Sequence, residues 1–285
     1  MSWRDALVLA LCRWGARPAL ALPVPWRWHR RVMQAVVSHR RSLPDIKVIQ
    51  TRIGGVPARI FASPQARGTL LWLHGGGFVL GSSLTYAHLA KTLAHLSGRR
   101  VVVPDYRLAP EHPFPAAPDD CVTVARALRA EGSFALAGDS AGGTLALVTL
   151  AALLRDGTPP ERLILVSPAV DLDPDRPMPP APHEALLPLR MLRRVQREYV
   201  ARADPRNPAL SPIHADFAGA PPTLIQCAVG ELLEGDADAI AEHLRAGGAE
   251  VTIEKERGVP HTWHLFVGLS PKADRAVARL ADFLR

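Results

Sequence analysis

The chain has 285 residues, 48% of them hydrophobic and 21% charged, and a formal net charge of +7. This balance suits one globular domain and excludes disorder. Apolar runs such as Ala6 to Cys12 and Leu163 to Val166 also fall far short of the roughly 20 residues of a membrane span. The excess positive charge is dispersed arginine without RNA-binding or zinc-finger signatures, so no nucleic-acid partner is expected.

From Arg4 to Arg41 the only acid is Asp5. The apolar run Ala6 to Cys12 and the stretch Ala19-Leu20-Ala21 resemble a secretion signal. However, Asp5 flanks the run, and Arg13 and Arg17 separate it from the supposed cut, so the segment is read as an amphipathic helix of the mature protein. Its arginines, and those from Arg190 to Arg206, are expected on solvated helix faces, with lipid head groups or acidic substrates as the functional alternative. Cys12, Cys121 and Cys227 are odd in number and lack metal-like spacing, so no metal site or disulfide framework is expected, and the location expected is cytoplasmic.

Ile46 to Ile53 and Val56 to Ala62 are predicted strands joined at Gly54-Gly55, a tight-hairpin signal. Strand Thr69 to Leu73 follows and runs into His74-Gly75-Gly76-Gly77-Phe78. Successive glycines let the backbone bend until amide N–H groups converge on one point, as an oxyanion hole requires; the donors expected are Gly75, Gly76 and Ala141. Helical periodicity then covers Tyr86 to Leu96 and Pro118 to Ala130, on either side of strand Arg100 to Pro104. Strand Phe134 to Ala137 leads into Gly138-Asp139-Ser140-Ala141-Gly142, which fits G-x-S-x-G, and helix Gly143 to Leu154 follows. A strand, a sharp turn carrying serine and a helix make Ser140 the candidate nucleophile, its flanking glycines relieving the crowding of the turn. Gly77 and Asp139 complete the two motifs.

After strand Leu163 to Ser167, the chain from Pro168 to Pro222 is proline-rich and has no obvious strand, but contains a helix-compatible run from Leu186 to Tyr199. Residues 1 to about 42 and about 171–208 are expected to form a small helical cap on the single domain. Strand Thr223 to Val229 precedes Gly230-Glu231, making Glu231 the first acid available after a strand, between serine and histidine in the chain order of a triad. Its rivals are Glu234 and Asp236, the latter also suited to N-cap the helix that ends at Ala246. After a final strand, Val251 to Glu254, the turn Gly258-Val259-Pro260 presents His261, the expected general base. His264 lies in the apolar run Trp263 to Val267, which reads as the start of a helix, and is expected to be a packing or surface histidine. Alternation of strands and helices predicts an α/β fold with a mainly parallel sheet flanked by helices.

The motifs resemble those of the hormone-sensitive-lipase-like carboxylesterases of the α/β-hydrolase superfamily, bacterial members in particular. The matching stretches are His74 to Phe78, Asp105-Tyr106-Arg107-Leu108-Ala109-Pro110-Glu111-His112-Pro113-Phe114-Pro115, Gly138 to Gly143, Ala203-Asp204-Pro205, Leu210-Ser211-Pro212, Pro221-Pro222 and the loop at His261. The resemblance implies a nucleophile at Ser140, a base at His261 and oxyanion donors at Gly75, Gly76 and Ala141, with His74 shaping the glycine loop. The family's usual acid is aspartate, where this chain has Glu231 in Glu231-Leu232-Leu233.

The function expected is hydrolysis of short- to medium-chain acyl esters without metal or organic cofactor, by a monomer or homodimer acting on a small-molecule ester. Amide, lactone or N-acetyl hydrolysis by the same groups, and a non-catalytic ligand-binding role on this fold, are the alternatives.

Overall fold

A computed structural model of the protein describes residues 2–37, 43 and 45–285, so the end of the basic N-terminal stretch, residues 38–42, lies outside the described residues. Helix α1 (Trp3–Leu11) opens on a capping box between Ser2 and Asp5, passes through a π turn (Cys12–Ala16) into α2 (Arg17–Leu20), and is followed by α3 (Trp26–Val37). Asp5 is buried and accepts hydrogen bonds from Ser270 Oγ and the Lys272 amide. The one acid of this region is therefore consumed in docking α1 onto the C-terminal part of the chain.

The sheet starts with strands β1 (Lys47–Ile53) and β2 (Val56–Ala62), whose register pairs Ile53 with Val56 across Gly54 and Gly55. Both glycines have positive φ, the backbone that a two-residue hairpin needs. Then follow β3 (Thr69–Leu73), α4 (Ala87–Ser97), β4 (Arg100–Pro104), α5 (Ala116–Glu131), β5 (Ala135–Asp139), α6 (Ala141–Arg155) and β6 (Leu163–Val166). Helix α7 (Leu189–Val195) continues as a π turn (Gln196–Val200), and the chain finishes with β7 (Thr223–Ala228), α8 (Glu234–Ala246), β8 (Val251–Glu256) and α9 (Pro271–Phe283). The strand order is β1-β2-β4-β3-β5-β6-β7-β8, antiparallel at β1/β2 and β2/β4 and parallel from β4 to β8.

Side chains alternate across each strand, so the two faces of the sheet build two cores. Leu71, Leu73, Leu136 and Leu165 pack with α5, α6 and α8, whereas Leu70, Trp72, Ala137 and Ile164 pack with α4 and α9. Helix α6 is buried from Ala141 to Leu153, which explains its apolar sequence on all sides. Trp263 to Val267 holds a 3-10 turn (Trp263–Phe266) and not the expected helix start; α9 begins at Pro271, behind an N-cap at Ser270 that accepts the Ala273 amide. Its residues Val277 and Leu280 complete the second core.

The expected helix from Leu186 to Tyr199 starts three residues later, at Leu189. Pro188 precedes it, and the amides of Leu186 and Leu187 donate to the Glu184 carboxylate instead. The N-cap assigned to Asp236 is corrected as well. Leu233 holds the cap position of α8, and Asp236 lies in its first turn, accepting from the Val170 amide at 2.9 Å and pairing with Arg176 at 2.8 Å.

Candidate active site

In a parallel sheet all strands end on the same edge, and there the motif residues come together. β3 delivers the glycine loop, β5 delivers Ser140, β7 delivers Glu231, and the chain beyond β8 delivers His261. Ser140 has φ 54° and ψ −122°, a conformation non-glycine residues rarely adopt, of the kind that concentrates at active sites. The crossing of strand and helix at this turn is so close that a Cβ on Gly138 would overlap the Gly142 carbonyl, and one on Gly142 would overlap the Leu73 carbonyl. Glycine at both positions thus lets β5, α6 and the end of β3 touch through bare backbone. Ser140 is half-buried at the head of α6.

His261 and Glu231 are almost wholly buried, and His261 Nδ1 donates to Glu231 Oε2 at 2.6 Å. The other carboxylate oxygen, Oε1, accepts the Ala228 amide at 3.0 Å, which fixes the rotation of the acid. Glutamate therefore reaches the imidazole from this loop without a gap. Burial disfavours the charged imidazolium, but the Glu231 carboxylate and its hydrogen bond outweigh that penalty, and the His261 pKa is raised; the charges of Glu184 and Asp139 act in the same direction. His261 Nε2 is buried and has no hydrogen-bond partner among the described residues. Neither rival acid meets the histidine. Glu234 accepts from the Gly230 amide and Lys255, and Asp236 is held by Val170 and Arg176.

His264 is buried, donates from Nε2 to Gln226 Oε1 at 2.6 Å and packs against the tilted Trp263 ring; burial lowers its pKa to about 3. It is a packing histidine, not a surface one.

The glycine loop departs from expectation at one position. The Gly75 amide donates inward, to Tyr86 Oη at 2.9 Å and Asp139 Oδ1 at 3.1 Å, so it is not available as an oxyanion donor. Among the described residues the amides of Gly76, Gly77 and Ala141 have no acceptor. Asp139 is the anchor of this loop. It is buried beneath the turn and accepts from Trp72 Nε1, Tyr86 Oη and the Gly75 amide, and burial raises its pKa to about 6 against the effect of those donors. His74 stacks on Tyr106 with centroids 4.2 Å apart and approaches the Gly75 carbonyl through Nδ1 at 2.8 Å. Tyr106 Oη donates to the His74 carbonyl at 2.6 Å. Burial lowers the His74 pKa to about 4, so the ring is a neutral brace for the loop.

Two further residues were not singled out from the sequence. Glu184, in the proline-rich excursion, is buried and accepts the amides of Leu186, Leu187 and Leu232, which ties that excursion to the loop bearing Glu231. Tyr199 stacks on Phe78 with centroids 3.8 Å apart, and Val195 and Met191 face Gly77. Trp26 of α3 donates to Glu198 and lies beneath Arg194, 4.0 Å from its ring centroid, so the N-terminal helices and α7 join. A polar residue inside a proline-rich stretch gives no local sign of these distant partners. Two clefts flank the site, one of about 200 Å³ behind the glycine loop at His74 and Tyr106, the other of about 160 Å³ between α1 and Val229 and Val259. Neither is lined by Ser140, Glu231 or His261.

A family model described as alpha/beta hydrolase fold matches residues 70–265. The acetyl-hydrolase of Streptomyces hygroscopicus is 40% identical over 76% of this chain and 75% of its own length. LipR of Mycobacterium tuberculosis is 35% identical over 100% of this chain and 95% of its own. A crystal structure of an esterase from the bacterial hormone-sensitive lipase family superposes with a TM-score of 0.92 at 32% identity, covering 100% of this chain and 98% of that one. The family model covers more than half of the chain and the esterase structure superposes over its whole length, so the chain belongs to the α/β-hydrolase family, among the bacterial hormone-sensitive-lipase-like esterases.

Proposed function

We propose that the protein is a serine carboxylesterase in which Ser140 is the nucleophile, His261 the general base and Glu231 the carboxylate that orients it. The observation that carries this reading is the buried 2.6 Å bond from His261 Nδ1 to Glu231, which leaves Nε2 of the same ring without a partner at the edge where Ser140 stands. With the proton held on Nδ1, Nε2 is the basic nitrogen. Ser140 makes no hydrogen bond to it here; such bonds commonly tighten only when substrate is bound.

In the first stage Ser140 Oγ attacks the ester carbonyl and its proton passes to His261 Nε2. The amides of Gly76, Gly77 and Ala141 receive the oxyanion, and collapse expels the alcohol with the proton from His261. In the second stage His261 Nε2 takes a proton from water as its oxygen attacks the acyl-serine carbonyl; collapse breaks the acyl–Oγ bond, the proton passes from His261 to Ser140 Oγ, and the carboxylic acid leaves. Gly75 has no part in the oxyanion hole, because its amide is committed to Asp139 and Tyr86.

The N-terminal helices and α7 serve as the cap that encloses the acyl group. Half-burial of Ser140 and the packing of Tyr199, Val195 and Met191 against the glycine loop support short to medium acyl chains. So do two relatives, the acetyl-hydrolase and an esterase whose crystal was soaked with p-nitrophenyl butyrate, itself a short acyl ester. Three free, buried cysteines support a cytoplasmic location. In stopped-flow mixing with p-nitrophenyl esters, the wild type should show an acyl-enzyme burst, Ser140→Ala none, and turnover should peak between acetyl and octanoyl. Steady turnover by a clean Ser140→Ala protein would end the serine assignment, and a peak at palmitoyl would end that of the short acyl chain.

A further inference from the structure

Large exposed hydrophobic side chains are not scattered evenly over the molecule. Eight of the thirteen found among the described residues lie between Trp3 and Val32. Trp3, Leu7, Leu11 and Trp14 are 74%, 49%, 60% and 80% exposed, and their spacing places them on one side of α1 and its π turn. The stripe is about 16 Å long at 1.5 Å per residue. On α3 the pattern recurs with Trp28 and Val32. The buried side of α1 is satisfied separately, by Val8 and Cys12 against Ala185 and by Asp5 against Ser270. No described residue covers the outer stripe.

The charge around these apolar residues has a single sign. Arg13, Arg17, Arg27 and Arg31 accompany them, Arg31 lying over the Trp28 ring at 5.4 Å, and the only acid of the described residues up to Val37 is the buried Asp5. A two-fold contact between copies of the chain through this face would set arginine against arginine, because an isologous interface presents the same patch twice. An anionic bilayer surface has the complementary character. Tryptophan settles at the boundary between acyl chains and head groups, leucine enters below it, and arginine meets lipid phosphates. No described helix is long and apolar enough to cross a membrane, so the contact is peripheral.

We infer that the outer face of the N-terminal helices docks the protein reversibly on anionic membrane surfaces, with Trp3, Leu7, Leu11 and Trp14 entering the interface and the arginines binding head-group phosphates. This docking is independent of the esterase reading and does not require that lipid be the substrate.

Flotation of the intact protein with vesicles tests it. Vesicles of mixed phosphatidylcholine and phosphatidylglycerol should carry the protein at low ionic strength and release it at high ionic strength, and pure phosphatidylcholine should carry far less. The triple variant Arg17→Gln, Arg27→Gln, Arg31→Gln should lose roughly a hundredfold in partitioning, at about fivefold per arginine. The double variant Trp3→Ser, Trp14→Ser should lose binding to the same vesicles while keeping the circular dichroism and melting temperature of the wild type, which shows that it is folded. Absence of binding to the anionic vesicles, or binding that neither variant weakens, overturns the inference. A dimer in sedimentation that the tryptophan variant dissociates also overturns it, since a second copy would then cover the stripe.

Discussion

Replacing Glu231 with glutamine keeps the shape of the acid and removes its charge, and the structure dictates which way the amide will turn. The Ala228 amide, 3.0 Å from Oε1, is a donor and demands an oxygen opposite it. Once the glutamine oxygen takes that place, its NH2 faces His261 Nδ1, where a proton already resides. Two donors cannot share that 2.6 Å contact, so the imidazole shifts its proton to Nε2 and loses the lone pair that should receive the serine proton. The cost is about four orders of magnitude in kcat, the size seen when the orienting carboxylate of a serine protease becomes an amide, or about 5 kcal/mol of transition-state stabilisation. A second signature is the acid limb of the pH profile. In the wild type the base is active only when neutral, and its pKa is raised, so activity should fall as pH drops through a value above the ordinary 6.5. In Glu231→Gln burial acts without the opposing carboxylate, and the limb should move toward lower pH. Initial rates with p-nitrophenyl butyrate across the pH range measure both effects. A variant within tenfold of wild type, with its acid limb unmoved, would refute the assignment of Glu231.

Asp236→Asn is the matched control. It breaks a buried pair with Arg176 and should cost about 3 kcal/mol in urea unfolding while leaving kcat within tenfold; a crippled kcat in a folded protein would transfer the triad role to Asp236. Ser140→Gly should abolish the acyl-enzyme burst yet raise the melting temperature, because glycine relieves about 1 kcal/mol or more of strain at φ 54°; a less stable glycine variant would contradict the strained-turn reading. Glu184→Gln should lower stability by about 1–3 kcal/mol, since its NH2 must face at least one of the three amides that the carboxylate now accepts. It should also shift the acid limb down, because the Glu184 charge favours the His261 imidazolium; an unmoved limb in a destabilised variant would show the role of Glu184 to be structural alone.

Sequence by itself determined whatever depends on neighbours along the chain. Each strand of the sheet was placed within two residues at its start and its end, because short apolar runs between glycine and proline turns have few other uses. The sharp turn at Ser140 was legible because Gly138 and Gly142 leave room that no other residue leaves. The helix expected from the apolar run Trp263 to Val267 starts only at Pro271, where Ser270 and Pro271 supply the N-cap and first-turn proline that the run lacks. Only the tertiary structure decided which groups meet across the sheet edge. The Gly75 amide points inward because Asp139, 64 residues later, is buried beneath it, and no spacing in the glycine loop reveals that. Glu231 meets His261 because β7 and β8 are parallel neighbours with Ala228 opposite Glu256, which brings both loops to one edge. Glu184 acquires its partners through a cap segment whose path is set by packing and not by pattern. Local chemistry is written in the order of residues; the pairing of distant polar groups is settled by the burial that makes an unpaired one costly.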